Sequence, residues 1–325
     1  MSESTKTATS SVFSEKRSLK DRIIRIGKDI KKHKEKYVLI LPGFAWYIIF
    51  AYIPIAGLTL AFRRFMARYG IFGSPWVGLR NFENVFADPA FMESIWTTLI
   101  INGGRLLFVF PFPILLALFF NEVRIGRSKK ILQSIFTFPH FLSWVIVASI
   151  MVNVLGRHGL VNSFSYMLFG TEPISFLGTP ALFRPIVYIT DIWKSAGWSA
   201  IIYMAAIAGI DTEQYEAAEI DGASRLQRMW SITLPNIKPT IIVLFILAVG
   251  NLMTGGFDQI FNLSNPATIR VAETIDMYIY RITFLGSIDF SFSAAVSLFR
   301  SAINLTLLVV ANVVVKRIGG TGLLA

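Results

Sequence analysis

At 325 residues, 54% of them hydrophobic, 14% aromatic and only 16% charged, with a mean hydropathy of +0.58, the chain is too apolar for a soluble globular domain and reads as an integral membrane protein. The absence of cysteine removes disulfides, thiolate catalysis and cysteine-based metal sites, and the three histidines, His33, His140 and His158, stand at no metal-ligand spacing. The net charge of +11 is read as topology rather than nucleic-acid binding, because excess Lys and Arg in membrane chains collects in cytoplasmic segments.

Residues 1–36 are polar and then basic, with no apolar core or small-residue cleavage site before Tyr37, so a cytoplasmic segment is expected rather than a signal peptide. Within it Leu19, Ile23, Ile24, Ile26 and Ile30 recur among lysines, a pattern for an amphipathic helix on anionic headgroups or for a solvated basic tail. Six apolar stretches follow, at 37–62, 93–121, 131–155, 185–209, 238–262 and 292–315, each long enough to cross a bilayer. The fold class is therefore all-α: a six-span membrane domain over 37–316 and a tail over 317–325. Arg124, Arg127, Lys129 and Lys130 in one loop, Arg225, Arg228 and Lys238 in another, and Lys316 and Arg317 in the tail fall on the N-terminal side, which places both termini in the cytoplasm. The outer loops 63–92, 156–184 and 263–291 carry aromatic, amphipathic patches that suggest interfacial helices and docking surfaces for something delivered from outside. Pro54, Pro111, Pro113 and Pro139 are expected to kink spans.

One inner stretch, 211–235, is polar. Asp211 suits an N-cap with Gln214 reaching back to it, so a short helix begins at Thr212 and ends at Gly222 in a left-handed turn. Tyr215 is its single large side chain, and Glu213, Glu216 and Glu219 flank Ala217 and Ala218. A second pattern, Leu226, Met229, Trp230 and Thr233, makes an amphipathic helix with Arg225 and Arg228 turned away, stopped at Leu234-Pro235. The two pieces form an elbow.

Glu216-Ala217-Ala218, three residues, Gly222, nine residues, Ile232, one residue and Leu234-Pro235 reproduce the EAA motif, and the chain resembles the permease subunits of ABC importers. VGLRNFENVF and GGFDQIFNLSNP resemble segments of the sugar and oligosaccharide branch. In length, basic N-terminus and these segments the chain is similar to the first permease subunit of bacterial alginate importers. The resemblance implies that Tyr215, Glu216, Ala217, Ala218, Glu219, Asp221 and Gly222 couple to an ATPase. It also implies two ATP-binding subunits carrying ATP and Mg, a second and similar permease, a periplasmic or extracellular solute-binding protein, and residence in the bacterial inner membrane. No G-x-x-x-x-G-K-[ST] occurs here, so nucleotide and cofactor are expected on partners and this chain is not read as an enzyme.

Polar residues within spans are costly in lipid and point to a cavity or partner. Asn102 and Arg105, Asp191 and Lys194 with Trp193 and Trp198, Asn251, Asp258 and Gln259, and Arg300 with Asn304 are the candidates for a substrate path. Trp193, Trp198, Asn251 and Gln259 suit a sugar, and Arg105, Lys194 and Arg300 an acidic one; alternatively the cations pair within the bundle, Lys194 with Asp191 for example. Gly255-Gly256 is expected to loosen the fifth span. An ion-coupled secondary transporter of a small polar solute is the other reading of the spans, although it has no need of the elbow.

Overall fold

A computed structural model describes residues 31–123, 126–286, 289–319 and 322–323. The proposed amphipathic segment around Leu19–Ile30 and the loop residue Arg124 lie outside them. The chain divides into two units, Met1–Leu58 and Thr59–Ala325. In the first, the described residues form most of one helix, α1 (Lys34–Phe62), which buries no side chain between Lys34 and Ile55.

Helices are the regular secondary structure of the second unit's described residues, apart from an isolated bridge between Arg63 and Trp76. After the short α2 (Arg80–Ala87) comes α3 (Pro89–Glu122), then α4 (Arg127–Thr137), α5 (Trp144–Leu155) and α6 (Leu160–Phe169). The 29-residue α7 (Pro180–Ala208) leads through α8 (Thr212–Ile220) into α9 (Arg225–Gly250). Two short helices, α10 (Phe257–Leu263) and α11 (Ile275–Tyr280), precede α12 (Phe290–Arg317).

Among the described residues, five stretches are long and apolar enough to cross a membrane: α1, α3, Trp144–Phe169, α9 and α12. The expected fourth span corresponds to α7, which has the length but not the same apolarity, because Arg184, Asp191 and Lys194 dilute it.

Two expected spans are corrected. The stretch 131–155 is not one helix: α4 tightens into a 3-10 turn over Phe138–Phe141 at Pro139, and Ser143 restarts the chain by capping α5 through the Ile146 amide at 3.3 Å. The stretch 238–262 is not one helix: it ends at Gly250, Asn251 leaves helical geometry at φ −105° and ψ 15°, and Gly255 and Gly256 follow with φ of 110° and 86°, which a helix cannot contain.

A third correction concerns Leu234-Pro235, which does not stop its helix. Met229–Thr233 widens into a π segment and α9 runs on to Gly250. A proline lacks the amide that bonds the carbonyl four residues back and its ring crowds that carbonyl; a wide turn just upstream relieves both. The π segments Ile48–Tyr52 and Arg105–Val109 likewise end two residues before Pro54 and Pro111.

Three apolar clusters hold the unit. Ile101 of α3, Ala148 of α5, Val187 of α7, Ile260 of α10 and Met277 of α11 form one, and Leu118 of α3 packs with Tyr203 of α7 and Ile237 of α9 in another. The third joins Val85 of α2, Phe91 of α3, Tyr278 of α11 and Val296 of α12. Asn81, within VGLRNFENVF, ties that end together by donating to the carbonyls of Ala61 and Arg63, both at 2.9 Å.

Candidate functional site

Two places gather the residues singled out above. The first is the elbow between α7 and α9. Asp211 caps α8 by accepting from the Glu213 amide at 3.0 Å. Gln214 does not reach back to it; its side-chain oxygen accepts from Asn236 of α9 at 3.1 Å. Gly222 has φ 77° and nothing within 4 Å of where a Cβ would stand, so backbone conformation alone selects glycine there. The capping box lies one turn later: Ser224 and Gln227 satisfy each other's amides at the start of α9.

The faces of α8 differ. Glu213, Glu216, Ala217 and Ile220 are exposed, Ile220 to 88%. Tyr215 turns the other way, and its hydroxyl lies 2.9 Å from that of Thr233, which is 1% exposed in the π segment of α9. Glu219 accepts from Arg228 at 2.7 Å, so Arg228 faces α8 rather than pointing away. Ala218 is half-buried and Asp221 exposed.

The second place lies where the chain leaves α9 and enters α10. Arg105, at the head of the π segment of α3, approaches Asp191 of α7 to 3.2 Å, donates to Asn102 at 2.9 Å and to the Gly255 carbonyl at 3.2 Å, and donates to Gln259 of α10. Gln259 in turn donates to the Val187 carbonyl at 2.7 Å and the Thr190 hydroxyl at 2.9 Å. Asn102 donates to the Leu252 carbonyl at 2.8 Å, so the non-helical backbone before α10 finds partners on α3. A Cβ on Gly256 would overlap the Arg105 guanidinium.

A cavity of about 240 Å³ opens beside this network, lined by Asn102, Arg105, Leu106, Val109, Phe110, Ala248, Asn251, Leu252 and Thr254. It brings together Asn102, Arg105 and Asn251. Gln259 is held behind it with 1% exposure, and Asp258 is on the exposed side of α10.

The remaining candidates are distributed otherwise. Lys194 does not pair with Asp191, which Arg105 occupies; its ammonium donates to the His140 carbonyl at 2.7 Å and lies 5.4 Å from the Trp144 ring centre. That carbonyl is available because the 3-10 turn at Pro139 frees it. Trp198 stacks on His140 with centroids 4.7 Å apart, while Trp193 is 43% exposed. Arg300 is held by Asp276 of α11, which also accepts from the Gly255 amide at 3.1 Å. Asn304 accepts from the Met253 amide at 3.0 Å. Asp276 was not legible beforehand, because it sits in a stretch read as outer loop; the one signal was an acid amid apolar residues, TIDMYIY.

Long apolar helices and a buried polar network, with a polar elbow between α7 and α9, define a helical membrane protein. Residues 109–320 match the family described as binding-protein-dependent transport system inner membrane component, and the chain belongs to that family. Over 292 residues, 90% of this chain and 91% of the relative, it is 42% identical to the polygalacturonan/rhamnogalacturonan transport system permease protein YteP of Bacillus subtilis (strain 168). It also matches, at 39% identity and a TM-score of 0.81, a chain of a bacterial ABC transporter involved in the import of the acidic polysaccharide alginate, covering 90% of this chain and 99% of that one. A chain of a bacterial alginate ABC transporter in complex with an alginate pentasaccharide-bound periplasmic protein matches with a TM-score of 0.81 and 39% identity, over 92% of this chain and 100% of that one. Ion-coupled secondary transport is not favoured.

Proposed function

We propose that this chain is the path-forming permease subunit of an ABC importer for an acidic polysaccharide or its oligosaccharides. The observation that carries the reading is the match at a TM-score of 0.81 and 39% identity, over nearly the whole chain, to a permease from an alginate importer. Polygalacturonan, named for the relative at 42% identity, is likewise a polymer of an acidic sugar. The chain sits in the inner membrane with both termini cytoplasmic. It assembles with a similar but distinct permease, two ATPase subunits that carry ATP and Mg, and a solute-binding protein outside.

In this reading the exposed face of α8, with Glu216, Ala217 and the neighbouring Asp221-Gly222 turn, enters a cleft of an ATPase subunit. ATP closes the two ATPase subunits, the elbows follow, and the path opens alternately to each side. The sugar passes the cavity between α3 and α9, where Asn102, Asn251 and Thr254 offer hydrogen-bonding groups. Arg105 and Arg300 each have a carboxylate partner, so an acidic sugar competes with Asp191 and Asp276 for them rather than meeting bare cations. Trp193 supplies an exposed aromatic face.

Reconstituting the complex in vesicles and measuring ATP hydrolysis with binding protein loaded by anionic or neutral oligosaccharides tests this. Stimulation by alginate or galacturonan fragments is expected; stimulation by neutral fragments alone overturns the substrate assignment. Failure of this chain to co-purify with any ATPase overturns the role itself.

A further inference from the structure

Among the described residues, α8 is fastened to α9 by side-chain contacts at three levels. Nearest the Gly222 turn, Glu219 meets Arg228 at 2.7 Å; in the middle the Tyr215 and Thr233 hydroxyls are 2.9 Å apart; nearest the start of α8, Gln214 meets Asn236 at 3.1 Å. Their qualities differ. The ion pair has one partner well exposed, with 72% of the Glu219 side chain open, and the amide pair is exposed, so water competes at both ends. Thr233 is 1% exposed, which makes the hydroxyl pair the contact that solvent cannot replace.

Thr233 also occupies a particular place along α9. It closes the π segment Met229–Thr233, two residues before Pro235, and from there the helix is uninterrupted to Gly250. Just beyond, the Gly255 carbonyl and amide are taken by Arg105 and Asp276. A displacement of α8 therefore reaches the polar network through one rigid helix whose lower grip is the Tyr215–Thr233 pair.

We propose that Thr233, gripped by Tyr215, is the positioning residue through which movement of α8 is passed into α9, so that its hydroxyl is needed for coupling and not for assembly. The inference rests on the reading of α8 as the ATPase-facing element. Tyr215, which the resemblance placed among the ATPase-coupling residues, on this account anchors α8 to its own chain, and the exposed Glu216, Ala217 and Ile220 are left to meet the partner.

The test uses the assembled importer in vesicles, with solute uptake and ATP hydrolysis measured together for Thr233→Val, Thr233→Ser and Thr233→Val combined with Tyr215→Phe. Thr233→Val is expected to co-purify with the ATPase and to keep basal hydrolysis, while solute moved per ATP falls about fivefold, the scale of one lost hydrogen bond. Thr233→Ser, which keeps the hydroxyl, restores the ratio, and the double variant is no worse than Thr233→Val alone, since both changes remove one contact. An unchanged ratio for Thr233→Val, or additive losses in the double variant, overturns the proposal. Should Thr233→Val fold poorly, Tyr215→Phe breaks the same contact from α8: it is expected to lower the ratio to the same degree with the ATPase still bound, and an unchanged ratio overturns the proposal. Loss of ATPase binding by Glu216→Lys bears on the docking face alone, so the two readings fail separately.

Discussion

Single residues carry this protein's polar interior, and their cost depends on what remains when one is removed. Arg105 and Asp191 are both largely withdrawn from solvent, at 15% and 18% side-chain exposure. Arg105→Met leaves Asp191 uncompensated and is expected to lower stability by about 3–5 kcal/mol, whereas Arg105→Met with Asp191→Leu recovers most of that loss; thermal unfolding in detergent of the two variants checks the difference. Glycines sort in the same way. Ala at Gly222 meets only the backbone penalty of φ 77°, about 1–2 kcal/mol, while Gly256→Ala adds an overlap with the Arg105 guanidinium to a φ of 86° and is expected to unfold at a lower temperature than Gly222→Ala. The left-handed glycine, the Asp211 cap and the motif around Glu216 were legible because each depends on neighbours in sequence. The partners of Arg105, Lys194 and Arg300 were not, since Gln259, the His140 carbonyl and Asp276 come from elements far along the chain and no periodicity marks a distant acceptor.

Helices here are fixed at their ends, and three of the described ones widen just before a proline. Asp88 performs two tasks at the start of α3: it caps the Ala90 amide at 2.8 Å and accepts from the Tyr278 hydroxyl of α11 at 2.6 Å. Asp88→Ala is expected to cost about 2 kcal/mol by losing both, and Tyr278→Phe about half of that, measured as shifts in unfolding temperature. Burial first, and this hydrogen bond second, push the Tyr278 phenol above its usual range. Its neutral form is thus favoured by folding, a contribution complete below the ordinary tyrosine value and lost only as pH rises through the raised one. The rough position of most of the long helices was readable from apolar length, but not their number: six spans were expected, and five stretches among the described residues have both the length and the apolarity. The breaks inside 131–155 and 238–262 were less so, because apolar composition is continuous across Pro139 and Gly255-Gly256 while backbone geometry is not. Proline as a stop at Pro235 failed for a related reason: the rule assumes that the helix keeps one pitch, and α9 does not.

At the scale of the whole molecule the two ends of α9 face different tasks, an exposed elbow at one and a closed polar network at the other, with a single helix between them. The absence of cysteine makes the relation measurable, because two introduced cysteines are the only labels. Spin labels placed at exposed positions either side of the π segment, such as Leu226 and Leu247, report its pitch. Pro235→Ala restores the missing amide and is expected to lengthen that distance while the protein stays folded; an unchanged distance shows that packing, not proline, holds the wide turn. A π turn stores one residue more than the α-helix around it. Absorbing that residue would turn everything beyond it by about 100° and advance it by about 1.5 Å, with no backbone hydrogen bond permanently lost. Each of α1, α3 and α9 thus holds one spare screw step beside a proline, a mechanical thread already cut into the described helices.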